Sequence, residues 1–133
     1  MTEATLNRML ALYRGTVAAC ELSPGEWDRL VRVARQAGVL PRLASLLEER
    51  GELPAVPAEV RPVLAASRVL AEAHGRNIRW EVRRIAEALG HAGLSFVLLK
   101  GAAYVMGELP AARGRLFEDV DVLVARDGLA RAE

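Results

Sequence analysis

The chain has few of the residues that cross-link or enlarge a small protein core. Its 133 residues include one cysteine, Cys20, and only 5% are aromatic. A single cysteine cannot form an internal disulfide, which fits a reducing compartment, and we expect its small side chain to be buried. With so few rings, the core has to be built from Leu, Val and Ala, and the first ninety residues favour helix.

The sequence also lacks a strong net charge and a long apolar run. Its formal net charge is +1, so nothing indicates a nucleic-acid footprint over the whole chain or a role at a membrane surface. No apolar stretch reaches the roughly 18 residues of a membrane span, and the N-terminus does not resemble a signal peptide. We therefore expect a soluble, cytoplasmic protein with no membrane partner.

Lysine is almost absent. Of the 18 basic residues, all but one are arginine, and the exception is Lys100, immediately before Gly101. An ammonium is a compact point charge, whereas a guanidinium is planar and delocalised. The use of lysine at this one position favours a functional or tightly structural role for Lys100.

Apolar residues recur every three or four positions through the first ninety residues, the spacing of amphipathic helices. Ser23 and Glu26 form a capping box that predicts a helix start, and we expect Trp27 and Trp80 to pack between helices. His74 lies on the apolar face of a long helix, where we expect a packed, hydrogen-bonded side chain rather than a ligand. The predicted helices are Thr5–Cys20, Pro24–Gly38, Leu40–Arg50 and Ala58–Leu89.

The pattern changes after Gly93. Short apolar runs rich in β-branched residues predict two strands, Leu94–Leu99 and Asp119–Ala125, with a short helix, Ala102–Gly107, between them. The fold class is therefore α+β, with a helical region over residues 1–92 and a strand–helix–strand unit over residues 93–133.

Two aspartates separated by one residue open the second predicted strand. In a strand, Asp119 and Asp121 would point to the same side, with their Cα atoms about 7 Å apart. Like charges on one face are unfavourable unless a cation lies between them, and paired carboxylates suit Mg²⁺ or Mn²⁺. Upstream, an apolar run ends at Gly101 and leads into a helix, which leaves backbone N–H groups for a phosphate. A phosphate cradle and a two-carboxylate metal site are the minimum needed to transfer a nucleotide.

Three alternatives compete with this interpretation. An EF-hand loop requires oxygen ligands at further alternate positions, where Leu123 and Val124 stand instead. A phosphatase of the haloacid-dehalogenase type places its aspartates at the end of an apolar strand, whereas here the apolar run follows them. The third alternative is a solvated acidic strand end with no ligand, which the upstream glycine makes less favourable.

The two motifs together resemble a family of uncharacterised bacterial nucleotidyltransferases in the polymerase-β superfamily. The resemblance rests on the run from Leu98 to Ala103, and on Arg115 followed after three residues by Asp-x-Asp and an apolar run. It extends upstream to about Trp27. It implies a helical N-terminal region followed by part of a polymerase-β-type core, residues 93–133, whose remaining elements would follow Glu133.

The resemblance implies a role for each motif position. Asp119 and Asp121 would be the catalytic, metal-binding aspartates, with Mg²⁺ or Mn²⁺ as cofactor. Gly101 would be the glycine of the signature turn where the triphosphate approaches. The nucleotide- and phosphate-binding residues would be Lys100, Gly101, Ala102 and Arg115, although Ala102 lacks the hydroxyl that the superfamily often has at that position.

The implied reaction is Mg-dependent transfer of a nucleoside monophosphate from a nucleoside triphosphate to an unknown acceptor, which could be a small molecule, a protein or RNA. The superfamily's third carboxylate has no counterpart in these 133 residues, so we expect the chain alone to be inactive. The alternative is a non-catalytic nucleotide-binding or protein-interaction module. An exposed strand edge would also favour association between copies of the chain.

Overall fold

A computed structural model describes residues 3–132 and is mostly helical, with one two-stranded antiparallel sheet. This is the α+β class that the sequence predicts. The described helices and strands are α1 Glu3–Arg14, α2 Pro24–Gln36, α3 Leu40–Glu49, α4 Arg61–His91, β1 Phe96–Leu98, α5 Lys100–Met106, β2 Val122–Val124 and α6 Leu129–Ala132. Short 3₁₀ turns lie at Ala19–Glu21, Leu53–Ala55, Pro110–Ala112 and Arg126–Gly128.

The chain divides into two compact units. The first extends to Ala71 and the second begins at Glu72, so the division falls within α4. The sequence-based division at residues 92 and 93, which follows the end of that helix, stays a prediction. Within residues 3–132, no helix combines the length and the apolar character that crossing a membrane requires.

The core of the first unit is made of Leu, Ala and Val around one ring. Trp27 is fully buried, as predicted, and its indole N–H donates to the Ala19 carbonyl at 3.3 Å. Removing this apolar surface from water is the main stabilising term. The buried members of the core are Met9, Leu12, Ala19, Leu22, Trp27, Leu30, Ala34, Leu40, Leu43, Ala44, Leu47, Val56 and Leu64.

Two sequence-based expectations in the helical part are wrong. The first helix ends at Arg14 rather than Cys20, because Gly15 adopts φ +75° and turns the chain out of the helix. Cys20 is exposed rather than buried, since its neighbour Ala19 takes the inward position in the 3₁₀ turn. No disulfide involves it, as its being the only cysteine requires.

Trp80 is also not where the sequence predicts. Its side chain is 62% exposed, whereas Ile78 and Val82 on the same helix are buried. Two residues of α-helix correspond to a rotation of about 200°, so Trp80 lies on the side opposite Ile78. The Arg84 guanidinium lies over its ring, 5.7 Å from the centroid.

The second unit holds the short sheet and its own small core. β1 pairs with β2 in the register Phe96–Val124, Val97–Leu123 and Leu98–Val122. Beneath it, Ile78 and Val82 of α4 pack with Ala102 and Val105 of α5. Partly buried side chains complete this cluster: Leu98, Ala112, Phe117 and Val120.

Both strands are shorter than the sequence predicts. β1 ends at Leu98 because the chain turns into α5 at Lys100, which adopts φ +47°. Because β1 ends at this turn, β2 has no partner residues for its predicted first positions, and it begins at Val122 rather than Asp119. Val97 and Leu123, which pair with each other, are each 58% exposed. Association between copies through this edge stays a prediction.

The start of α2 has the capping box that the sequence predicts. The Ser23 hydroxyl accepts a hydrogen bond from the Glu26 N–H at 3.3 Å, and the Glu26 carboxylate accepts from the Ser23 N–H at 2.9 Å. The Ser23 hydroxyl also donates to the Glu26 carboxylate at 2.8 Å, and the two bonds that this carboxylate accepts from the Ser23 N–H and hydroxyl lower the pKa of Glu26. The stabilisation is therefore complete above the ordinary pKa of glutamate and is lost as the pH falls through the lowered value.

We expect Ser23→Ala to lower the free energy of unfolding by about 1 kcal/mol, because the Glu26 N–H loses its acceptor and the Glu26 carboxylate loses the Ser23 hydroxyl as a donor. Chemical denaturation at neutral pH measures this. Ser45→Ala is the control, since the Ser45 hydroxyl donates to the Pro41 carbonyl within α3, and its loss should change stability by less than about 0.5 kcal/mol. Equal losses in the two variants would contradict a capping role.

Candidate functional site

The residues that the sequence singles out come together in the second unit. The chain leaves β1, turns at Lys100 into α5, and returns through residues 107–121 to β2. The Leu99 N–H donates to the Asp121 carbonyl at 3.0 Å, which extends the pairing of β1 and β2 by one step. This bond brings the turn at Lys100 next to Asp121.

The two aspartates lie just before β2 rather than within it. Val120, between them, packs against the small core, while Asp119 is exposed and Asp121 is half-buried. One apolar residue facing the core thus separates two carboxylates that reach solvent. The predicted strand start is displaced, yet the two acidic side chains are still separated by one inward-facing residue.

Lys100 forms an ion pair with one of the aspartates. Its Nζ atom lies 2.9 Å from Oδ2 of Asp121, and its side chain is 74% exposed. The hydrogen bond and charge of Asp121 raise the pKa of the Lys100 ammonium, and Asp119 adds a smaller effect. The backbone of Lys100 has a positive φ of 47°, which is uncommon for a residue other than glycine. The only lysine of the chain therefore stands at a strained turn with its charge on Asp121.

The donors at this site have the chemistry of a hard-cation site. Mg²⁺ is usually held by one or two carboxylates together with water and substrate phosphates, not by a complete protein cage. The exposed carboxylate of Asp119 and the half-buried carboxylate of Asp121 are ligands of this kind. Within residues 3–132, no cluster of three or more His, Cys, Asp or Glu side chains is arranged to hold a metal ion. A cation here would complete its coordination shell with water or a ligand.

Gly101 and Ala102 are both buried at the start of α5. The open side of Gly101 faces the ring of Phe117, and a Cβ atom at this position would lie 2.2 Å from Cδ1 of that ring. Only glycine fits without a shift of the ring or the helix. The sequence identifies Gly101 as special, but the contact that requires a glycine is with another side chain of the protein.

Arg115 lies on the same ring. Its guanidinium carbon is 5.1 Å from the centroid of Phe117, within the range of a cation–π interaction. Arg115 is exposed, so its charge remains available to a ligand. Lys100 and Arg115 thus both stand next to the segment that carries the aspartates.

His74 is the site residue whose contact sequence reasoning missed. Its Nε2 atom accepts a hydrogen bond from the Phe117 N–H at 3.0 Å and also closely contacts the Phe117 carbonyl oxygen. The prediction of a hydrogen-bonded, packed histidine is confirmed, but its partner lies 43 residues away. The only signal in the sequence was a polar ring on an apolar helix face.

The second unit therefore combines a buried glycine turn, two carboxylates separated by one residue, and two cations beside them. A family model described as an uncharacterised nucleotidyltransferase matches residues 23–133. The chain belongs to this nucleotidyltransferase family. No curated protein and no solved structure is significantly similar to the chain. The match includes α2 and α3 as well as the site, so the helical first unit is largely part of the family's pattern.

We expect Gly101→Ala to lower the free energy of unfolding by about 1–3 kcal/mol, because the new methyl group overlaps the Phe117 ring. In a Phe117→Ala background the ring is gone. The same substitution should then be neutral or stabilising by up to about 1 kcal/mol, since alanine is the better helix former. A double-mutant cycle by chemical denaturation measures this change of sign.

Gly75→Ala is the matched control for this cycle. Gly75 lies in the middle of α4, and a Cβ atom there would meet only the Arg79 guanidinium at an ordinary 3.6 Å. The substitution should stabilise the protein by up to about 1 kcal/mol whether or not Phe117 is present. If Gly101→Ala destabilises both backgrounds equally, Phe117 is not the reason for a glycine at position 101.

Proposed function

We propose that this chain binds a nucleoside triphosphate together with Mg²⁺ or Mn²⁺ for transfer of the nucleoside monophosphate to an acceptor. The observation that carries the proposal is the meeting of the Lys100 turn with Asp119 and Asp121 in one small unit, in a chain of a nucleotidyltransferase family. The polymerase-β type of core, suggested by the two motifs, is part of this proposal.

Asp119 and Asp121 would hold the cation. When bound, such an ion stabilises the negative charge that develops on phosphate oxygens during displacement. Exposure of Asp119 and partial exposure of Asp121 leave these carboxylates accessible from solvent. Val120 between them is held in the small core, which limits how far the two side chains can move.

Lys100 would exchange partners when the ligands bind. Its ammonium now neutralises Asp121, and a divalent cation at the aspartates competes for the same carboxylate. The released ammonium sits on a long, exposed side chain and can pair with a phosphate oxygen instead. An arginine would be less suited to this exchange, because its planar fork favours a fixed two-bond contact with a carboxylate.

Arg115 would supply a second positive charge to the phosphates. Its guanidinium rests on the Phe117 ring, which limits its motion without removing its charge or its N–H donors. The N–H groups at the start of α5 have no partner within the helix and would add to the phosphate contacts around Gly101 and Ala102.

A second function, nucleotide binding without transfer, is favoured by one observation. Among the described residues, no third carboxylate or other ligand joins the two aspartates in a metal-binding cluster. A transferase needs a positioned group to activate the acceptor. In this second function the chain would bind the nucleotide and leave it intact, and pyrophosphate release from a nucleoside triphosphate by the pure chain would exclude it.

We expect Mn²⁺ to broaden the amide resonances of residues 117–123 in the wild-type chain, because the paramagnetic ion would lie beside them. Asp119→Asn combined with Asp121→Asn should abolish the effect, since amide oxygens are poorer ligands for a hard cation. The same double variant should lose the cation-dependent part of ATP binding, measured by calorimetry with GTP, CTP and UTP in parallel.

Asp127→Asn is the control for this experiment. It makes the same chemical change in the exposed 3₁₀ turn after β2, so broadening and ATP binding should stay at the wild-type level. Broadening of equal size in the double aspartate variant would rule out this metal site.

We expect Lys100→Met to raise the affinity for Mn²⁺ alone by ~2- to 5-fold, because an exposed ion pair no longer competes for Asp121. With Mn²⁺ saturating, the same variant should bind ATP more weakly, since a phosphate contact is lost. Arg126→Met, which removes an equal charge just after β2, should change neither affinity by as much. Tighter ATP binding by Lys100→Met would contradict the exchange.

A further inference from the structure

His74 contacts the main chain of the segment that carries the aspartates. The ring is half-buried on α4, and its Nε2 atom lies 3.0 Å from the Phe117 nitrogen and close to the Phe117 carbonyl oxygen. A neutral imidazole nitrogen can accept or donate, but it takes one role at a time. Either bond fixes the backbone of Phe117, two residues before Asp119.

Phe117 is held by its side chain as well. Its ring fills the space over Gly101 and packs against the core of Ile78, Val82, Ala102 and Val105. The segment between α5 and β2 is thus held at Phe117 through both its backbone and its ring. Fixing the main chain at Phe117 and the side chain at Val120 leaves the backbone around Asp119 little freedom.

We propose that His74 is a positioning residue for Asp119 and Asp121: by fixing the backbone of Phe117, it holds the two carboxylates in one arrangement ready for a divalent cation. This inference rests on the proposed metal-binding function. It assigns no chemistry to the imidazole itself, which acts through Phe117. Groups that hydrogen-bond a metal ligand directly change metal affinity by about 10- to 100-fold when they are removed, and we expect the effect transmitted through Phe117 to lie at the lower end of that range.

The test compares two substitutions of His74. His74→Leu replaces the imidazole with an apolar side chain of similar size and so removes both hydrogen-bonding roles. His74→Gln places an amide near the position of Nε2, and its oxygen can accept from the Phe117 N–H. The readouts are the Mn²⁺ affinity from broadening of residues 117–123, and hydrogen exchange of the Phe117 amide. His91→Leu, at the exposed end of the same helix, is the matched control.

We expect His74→Leu to weaken Mn²⁺ binding about tenfold or more and to make the Phe117 amide exchange faster. The Mn²⁺ affinity of His74→Gln should stay within about threefold of the wild-type value, and that of His91→Leu should equal the wild-type value. A folded leucine variant with wild-type Mn²⁺ affinity would overturn the proposal. So would a glutamine variant as weak as the leucine variant, because the defect would then not come from the hydrogen bond.

Two further outcomes keep the test decisive. If circular dichroism shows that His74→Leu does not fold, the wild-type amides decide: a Phe117 amide better protected than those of Leu116 and Glu118 supports the contact, and an unprotected one overturns it. If the wild-type chain binds no Mn²⁺ at the aspartates, the proposed function itself fails and the positioning role with it. If the wild-type chain binds Mn²⁺ and His74→Leu binds it equally well, only the positioning role of His74 fails.

Discussion

The second unit depends on the close packing of the Phe117 ring against Gly101, which has no side chain. A Cβ atom at position 101 would lie 2.2 Å from the ring, so the glycine permits a close approach that no other residue allows. The ring in turn carries the Arg115 guanidinium on its surface. The turn after β1 and the acidic segment before β2 are therefore one structural element, although fifteen residues separate Gly101 from Phe117 along the chain.

The charged side chains next to this element partly offset one another. Two carboxylates separated by one inward-facing residue repel one another, and the Lys100 ammonium offsets part of that repulsion at Asp121. An exposed ion pair of this kind adds little to stability. Its more informative property is that it is easily exchanged, since water can replace either partner. At the proposed metal site, a cation held by two carboxylates and water would displace a weak ion pair more easily than a strong one.

The sequence predicts α2 and α3 well, whereas the features that depend on distant parts of the chain are predicted poorly. Periodicity and capping locate α2 and α3 to within about two residues, because both depend on neighbours three or four positions apart. The strands are misplaced by up to three residues at their ends, since their limits depend on where the partner strand can pair. The prediction that Trp80 packs between helices is wrong for a related reason, because only the position of the core decides which side of a helix is buried.

The residues of the candidate site show the same difference between local and non-local features. Lys100, Gly101, Asp119 and Asp121 could be singled out because residue type and spacing along the chain carry chemical meaning on their own. His74 and Phe117 could not be paired, since their contact spans 43 residues and neither belongs to the two motifs. For Gly101 the sequence predicts that the residue is important but not why a glycine is required there. A glycine beside an expected phosphate site suggests space for a ligand, whereas here Phe117 fills that space. A phosphate at this turn would then have to approach from the side of Lys100 and Arg115, where both cations are exposed, rather than across the face of the glycine.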